Sequence, residues 1–184
     1  MNYKIGDIVA FVKNSIVGEA IGFFQNLDDW YNKETGLPVD PDIISHIALV
    51  INDTEYIEAD AKKGVRICKL ADLPTDRPFF HCVLKDEKRS KIYKWHFLFN
   101  QFVYKQVNKR YDYKGIFHIA LKFFGIKPKE DSRYFFCSEL AYKAFEEVAI
   151  FHDINTSAKT PSDMFAEDIF SQRRLINGAT VKQN

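Results

Sequence analysis

The stretch that decides the fold is "SHIALVINDTEYIEAD", residues 45–60. Two strand-like runs, 45–51 and 55–60, flank Asn52-Asp53-Thr54, and that arrangement predicts a β-hairpin. Side chains alternate along a strand, so His46, Ala48 and Val50 share a face. On the next strand Tyr56, Glu58 and Asp60 share a face. The loop length decides whether both sets lie on the same side of the sheet. With a three-residue loop, 51 pairs with 55, 48 faces 58 and 46 faces 60. His46 then has Glu58 as a diagonal neighbour at ~7 Å and Asp60 directly opposite. Either carboxylate can accept a hydrogen bond from the imidazole. A two-residue loop would turn both acids to the other face.

Outward from the hairpin, "DIVAFV" (7–12), "GVRICKL" (64–70) and "PFFHCVL" (78–84) read as further strands of one antiparallel sheet. The second half reads as helices. Ile92, Trp95, Phe99, Phe102 and Val103 recur at helical spacing and predict one helix over about 88–107. Asp112 is expected to cap another over 113–124, which Gly125 and Pro128 stop. A third helix follows Cys137 and buries Leu140, Ala141, Ala144, Phe145 and Val148. A last one over 160–170 has Thr160 as cap, Pro161 at its first position and Asp163 in its first turn. Near the start, 15–31 reads as a helix and 33–42, with Gly36, Pro38 and Pro41, as a loop. Strands first and helices later define an α+β class, an antiparallel sheet packed against helices. The 184 residues suit a single domain, 1–184.

A hydrophobic share of 46% allows a sizeable core, and a net charge of +1 gives no basic footprint for nucleic acid. Three widely spaced cysteines, Cys68, Cys82 and Cys137, argue against a disulfide framework and for a reducing compartment. The start "MNYKIGDIVAFVKNS" does not read as a signal peptide, and no apolar run approaches the ~20 residues that span a bilayer. The expectation is a cytoplasmic protein. His81, His96, His118 and His152 have no metal-ligand spacing with one another or with the cysteines, so no metal is expected.

"YFFCSELAYKAF", residues 134–145, carries the chemistry. Cys137 falls where a strand-like run gives way to a helix. Unpaired N–H groups and the dipole at a helix start favour a thiolate and can hold an oxyanion. A cysteine hydrolase also needs a base, and a group that orients the base. His46 with Glu58 or Asp60 can supply both. Cys82 directly follows His81, and neighbouring strand residues point to opposite faces, so those two form no dyad. Cys68 alternates with apolar residues and reads as core or strand surface.

The order "GDIVAF", "SHIALVI", "YIEA", "GVRI", "YDYKG", "FFCSEL", "TPSDM" resembles the circularly permuted papain-like hydrolases of the NlpC superfamily, the YiiX/YebB-type branch. The resemblance runs from about Gly6 to Met164. It implies a permuted papain-like fold, with the sheet carrying histidine and acid before the cysteine helix. It also implies Cys137 as nucleophile, His46 as base and Glu58, not Asp60, as orienter. Tyr111 of "YDYKG" and Ser138 beside the nucleophile are the implied substrate-binding or oxyanion residues. The activity implied is hydrolysis of an amide bond in a peptide, an isopeptide or an N-acyl amino acid, with no cofactor. Related enzymes move fatty acyl groups, and the apolar stretches 21–24 and 116–124 would suit an acyl groove. A non-catalytic binding module on the same fold is a third reading. The expected partner is thus a small-molecule, peptide or acyl substrate, without nucleic acid or a membrane span.

Overall fold

The computed structural model describes residues 2–12, 43–111, 134–135, 137–156 and 159–176. The predicted helices over 15–31 and 113–124, the loop over 33–42, the Asp112 cap, the Gly125 and Pro128 stop and both apolar stretches fall outside these residues.

A six-stranded antiparallel sheet organises the molecule. Its strands are β1 (Ile8–Val12), β2 (Ile44–Val50), β3 (Glu55–Asp60), β4 (Gly64–Lys69), β5 (Phe79–Leu84) and, from the C-terminal part, Phe170–Ile176. A separate two-stranded parallel pair joins β6 (Arg110–Tyr111) to β7 (Tyr134–Phe135), which makes Phe170–Ile176 β8. The order across the large sheet is β4-β3-β2-β1-β5-β8. The helices are α1 (Asp86–Lys94), α2 (His96–Gln106), α3 (Cys137–Glu147) and α4 (Pro161–Ala166).

Alternation along the strands builds a core on each side of the sheet. Ile47, Leu49, Ile57 and Ala59 meet Leu140, Ala141, Ala144 and Phe145, the apolar stripe of α3, and Val148 just beyond its end. Ala48, Val50 and Tyr56 point the other way and join Val9, Phe11 and Phe79. Each fully buried Leu, Ile or Phe side chain contributes about 1.5–3 kcal/mol, so both faces matter to stability.

Two predicted helices need correction. The single helix expected over 88–107 is two, broken at Trp95, whose φ of −112° and ψ of 29° leave the helical region. No Gly or Pro marks the break. Its cause is tertiary: Arg89 pins α1 to the N-terminal segment, donating to the Ile5 carbonyl at 2.5 Å and to Asp7 at 2.9 Å. Meanwhile α2 packs against α3. The helix expected over 160–170 stops at Ala166, and Phe170–Ile176 is an edge strand paired with β5. Its run FSQRRLI lacks the alternation of a half-buried strand, because an edge strand tolerates charge where an inner one does not. The start of α4 does follow the sequence. Thr160 Oγ1 accepts from the Asp163 N–H at 3.1 Å and the Asp163 carboxylate accepts from the Thr160 N–H at 2.7 Å, a capping box with Pro161 just inside.

Candidate active site

The hairpin register brings the site together. Ala48 pairs with Glu58 and Val50 with Tyr56, the register expected of a three-residue loop. The Ile51 N–H closes the hairpin on the Glu55 carbonyl at 3.0 Å, and Asn52 Oδ1 accepts from the Thr54 N–H at 2.9 Å. Such side-chain bonds to the backbone are what makes Asn a turn residue. Glu58 is thereby on the face of His46, and its Oε2 lies 2.8 Å from His46 Nε2.

One local irregularity had no signal in the sequence. Phe11 pairs with His46, but Val12 pairs with Ile44, so Ser45 is an extra residue in β2. Its hydroxyl donates to the Phe11 carbonyl at 3.3 Å. A bulge bends its strand and re-aims the adjoining side chain. Here that side chain is His46, whose ring also stands 5.5 Å from the Phe11 ring, centroid to centroid.

Glu58 has a second holder. Arg66, its direct partner on β4, donates to Oε1 at 2.6 Å. With one oxygen fixed by a guanidinium, the other faces His46, a charge-assisted arrangement that limits rotation of the carboxylate. Arg66 was missed in the sequence, although its place opposite Glu58 follows from the antiparallel pairing of β3 and β4. The rival acid, Asp60, does not touch His46. Its Oδ1 accepts from the Lys62 and Lys63 N–H groups, both at 2.8 Å, and so holds the β3–β4 turn.

The thiol completes the row. Cys137 is the first residue of α3 and is 4% exposed. Its thiol stands beside the His46 ring, close enough to raise that ring's pKa. The His46 side chain is 25% exposed, so the site has a solvent-facing flank at the imidazole.

The electrostatics follow from these contacts. Burial disfavours charge on His46. The neighbouring Cys137 and Glu58 side chains outweigh that and push the ring from 6.5 up to about 10. Burial also opposes charge on Glu58, yet His46 and Arg66 hold its carboxyl below the usual range. Burial, and then the Glu58 charge, push the Cys68 thiol up, and burial pushes the Cys82 thiol up strongly. Cys68 donates to Glu58 Oε1 at 3.7 Å, so it is a satellite of the carboxylate.

Ser138 is fully buried, and its hydroxyl donates to the Lys159 carbonyl at 2.8 Å. That bond ties the start of α3 to the segment whose next residue, Thr160, caps α4. What Ser138 can offer a substrate is its N–H in the first turn of α3. Tyr111 pairs with Phe135 in the parallel β6–β7 ladder, two residues before Cys137, and is half-buried against the main core. A cleft of about 460 Å³ lies elsewhere, lined by residues such as Tyr3, Arg89, Tyr93 and His96, and His46, Glu58 and Cys137 do not line it. Among the described residues no three His, Cys, Asp or Glu side chains are grouped to hold a metal ion.

No family model matches the chain, and no curated protein matches it.

Proposed function

We propose that the chain is a cysteine hydrolase with a permuted papain-like fold, acting on an amide bond through Cys137, His46 and Glu58. The observation that carries this reading is the position of one imidazole. It is held by a carboxylate at 2.8 Å and stands beside the first residue of a helix, a cysteine. A ring pushed up to about 10 is an imidazolium at neutral pH, and an imidazolium beside sulfur favours the thiolate.

The reaction then runs in two halves. The Cys137 thiolate adds to the substrate carbonyl carbon, and the C=O electrons move to oxygen, where N–H groups at the start of α3 stabilise the charge. As the carbonyl re-forms, the C–N bond breaks and the His46 imidazolium gives its proton to the leaving nitrogen. The product is a thioester on Cys137 and a neutral imidazole. Water then loses a proton to His46 and adds to the thioester. Collapse releases the carboxylic acid and restores the thiolate–imidazolium pair. Glu58 holds the ring throughout, and Arg66 holds Glu58.

A panel of peptide amides, N-acyl amino acids and acyl esters tests the reading, with intact-mass detection of the acylated chain. Acylation of Cys137 that is absent in Cys137→Ala supports it. Turnover that persists in Cys137→Ala would remove the nucleophile from the proposal.

A further inference from the structure

Six consecutive residues, Tyr93, Lys94, Trp95, His96, Phe97 and Leu98, are exposed where α1 ends and α2 begins. Phe97 is 75% exposed, Tyr93 59% and Trp95 43%. Tyr104, 53% exposed, follows Phe97 by about two helical turns and lies on the same side of α2. The buried Phe99, Val103 and Gln106 take the opposite side. Large apolar side chains exposed in one contiguous patch mark a surface that meets something.

Charge indicates what it meets. From Lys88 to Tyr111 the sequence holds seven Lys and Arg and no Asp or Glu. The whole-chain balance of +1 conceals this block. Arg89 is committed to Asp7, and Lys91 to the Ala149 carbonyl. Lys94, Lys105 and Arg110 are exposed. Lys94 Nζ sits 5.3 Å from the centroid of the Trp95 ring, so cation and indole form one unit.

We infer that the α1–α2 corner docks the protein on an anionic lipid surface, with Trp95, Phe97 and Leu98 entering the acyl boundary and Lys94 and Lys105 meeting headgroup phosphates. Trp and Tyr with Lys is the composition of an interfacial segment, since these side chains combine an apolar body with a polar tip. A Phe so exposed stands clear of its surface and sits in no groove, which suits a partner that deforms around it. Asp86 and Glu87 sit in the first turn of α1, and Asp53 and Asp86 line the cleft beside Tyr93, but residues 88–111 hold no acid, so the charge of the corner itself favours an anionic partner. A nucleic acid would use the lysines, but it would leave Phe97 and Leu98 in water. This inference does not depend on the proposed chemistry of Cys137.

Vesicle co-sedimentation of the full chain tests it, using phosphatidylcholine alone or with about one-third phosphatidylserine. The expected result is at least about tenfold more binding to the anionic vesicles, weakened by salt. Phe97→Ser with Leu98→Ser, and separately Lys94→Glu with Lys105→Glu, should each lower the partition by about tenfold. Leu175→Ser, which removes an exposed leucine from β8, should not. All these side chains already face water, so the variants keep the fold, and a thermal melt checks this. The chain has two tryptophans. In a Trp30→Phe background the Trp95 emission should shift to the blue on anionic vesicles. Equal binding to both vesicle types, partition unchanged in both double variants, an unshifted Trp95 emission, or retention by single-stranded RNA without vesicle binding would each overturn the inference.

Discussion

The molecule holds two histidines in nearly the same way. His46 Nε2 lies 2.8 Å from Glu58, whose other oxygen takes Arg66 at 2.6 Å. His81 Nε2 lies 2.8 Å from Asp7, whose other oxygen takes Arg89 at 2.9 Å. The surroundings separate them. Asp7 also accepts the Leu84 and Lys4 N–H groups, both at 3.0 Å, and Asp7, His81 and Arg89 are all buried. The Tyr3 ring lies 4.5 Å from the His81 ring. Cys82, next in sequence to His81, belongs to the core on the opposite side of the sheet. This closed network staples the N-terminal segment to β5 and α1. The His46 side chain is 25% exposed, and a thiol at a helix start stands beside its ring. A histidine, a carboxylate and an arginine are therefore the same device in two settings. An adjacent thiol and a solvent-facing flank distinguish the His46 pair.

Substitutions can break the comparison from either side. The largest effect is expected from His46→Ala. The imidazole is the group proposed to activate the Cys137 thiol, a role worth about a hundredfold or more in rate. Alkylation of Cys137 by iodoacetamide at pH 6.5 should thus fall about a hundredfold, read by peptide mass spectrometry, while Cys68 keeps its rate. An unchanged rate would reduce the His46 pair to the same status as the His81 pair.

Asp7→Ala should act on stability instead. It leaves the buried Arg89 with only the exposed Asp86 at 3.7 Å as a counter-charge, and breaking such a buried pair costs about 3–5 kcal/mol. Urea unfolding should show that loss. The alkylation rate of Cys137 in the folded fraction should stay near wild type.

Smaller differences sharpen the assignment of the acid. Glu58→Gln removes a charge-assisted hydrogen bond worth about 1.5–3 kcal/mol, roughly ten- to a hundredfold in rate. Asp60→Asn keeps an acceptor for the turn N–H groups, so its stability should change by less than about 0.5 kcal/mol and the alkylation rate should hold. Equal effects of the two substitutions would undo the choice of Glu58.

Stability against pH separates the pairs again. Asp7 and Glu58 are both held below the usual carboxylate range. Their contribution is present above that range and is lost as pH falls through their folded values. The His46 contribution has the opposite sign. It is complete below 6.5 and is lost as pH rises toward about 10. Urea midpoints across pH should therefore show an acid limb that Asp7→Asn flattens and an alkaline decline that His46→Ala removes.

Much of this was legible in the sequence, for identifiable reasons. Val50, Asn52 and Tyr56 carry period-two and turn chemistry, so the hairpin was legible, while its register hung on a loop length that the pairing of Ala48 with Glu58 decides. Leu140 to Val148 carry a clean helical stripe, and Thr160 to Asp163 a complete capping box. Signals failed where tertiary contacts overrode local ones. Trp95 breaks a helix because Arg89 holds one half and α3 the other. The strand at 170–176 is polar because it lies at an edge. The Ser45 bulge leaves no trace, since any residue can be the extra one. His81 was set aside because Cys82 beside it faces the other way and no metal-ligand spacing includes it; its partner, Asp7, is 74 positions away. Glu58 and Asp60 could not be separated by alternation. The distinction came from Arg66 on β4, which lies 2.6 Å from Glu58 but 3.7 Å from Asp60, and from the Lys62 and Lys63 N–H groups that occupy Asp60.

The central claim is that His46 is an imidazolium paired with Cys137 at neutral pH. The most direct measurement is an NMR titration of the His46 ring in wild type and in Cys137→Ala. The account predicts a ring that stays protonated through pH 7 and titrates toward about 10, with a clear drop when the sulfur is removed. A His46 ring that titrates near its ordinary 6.5, unmoved by Cys137→Ala, would contradict it.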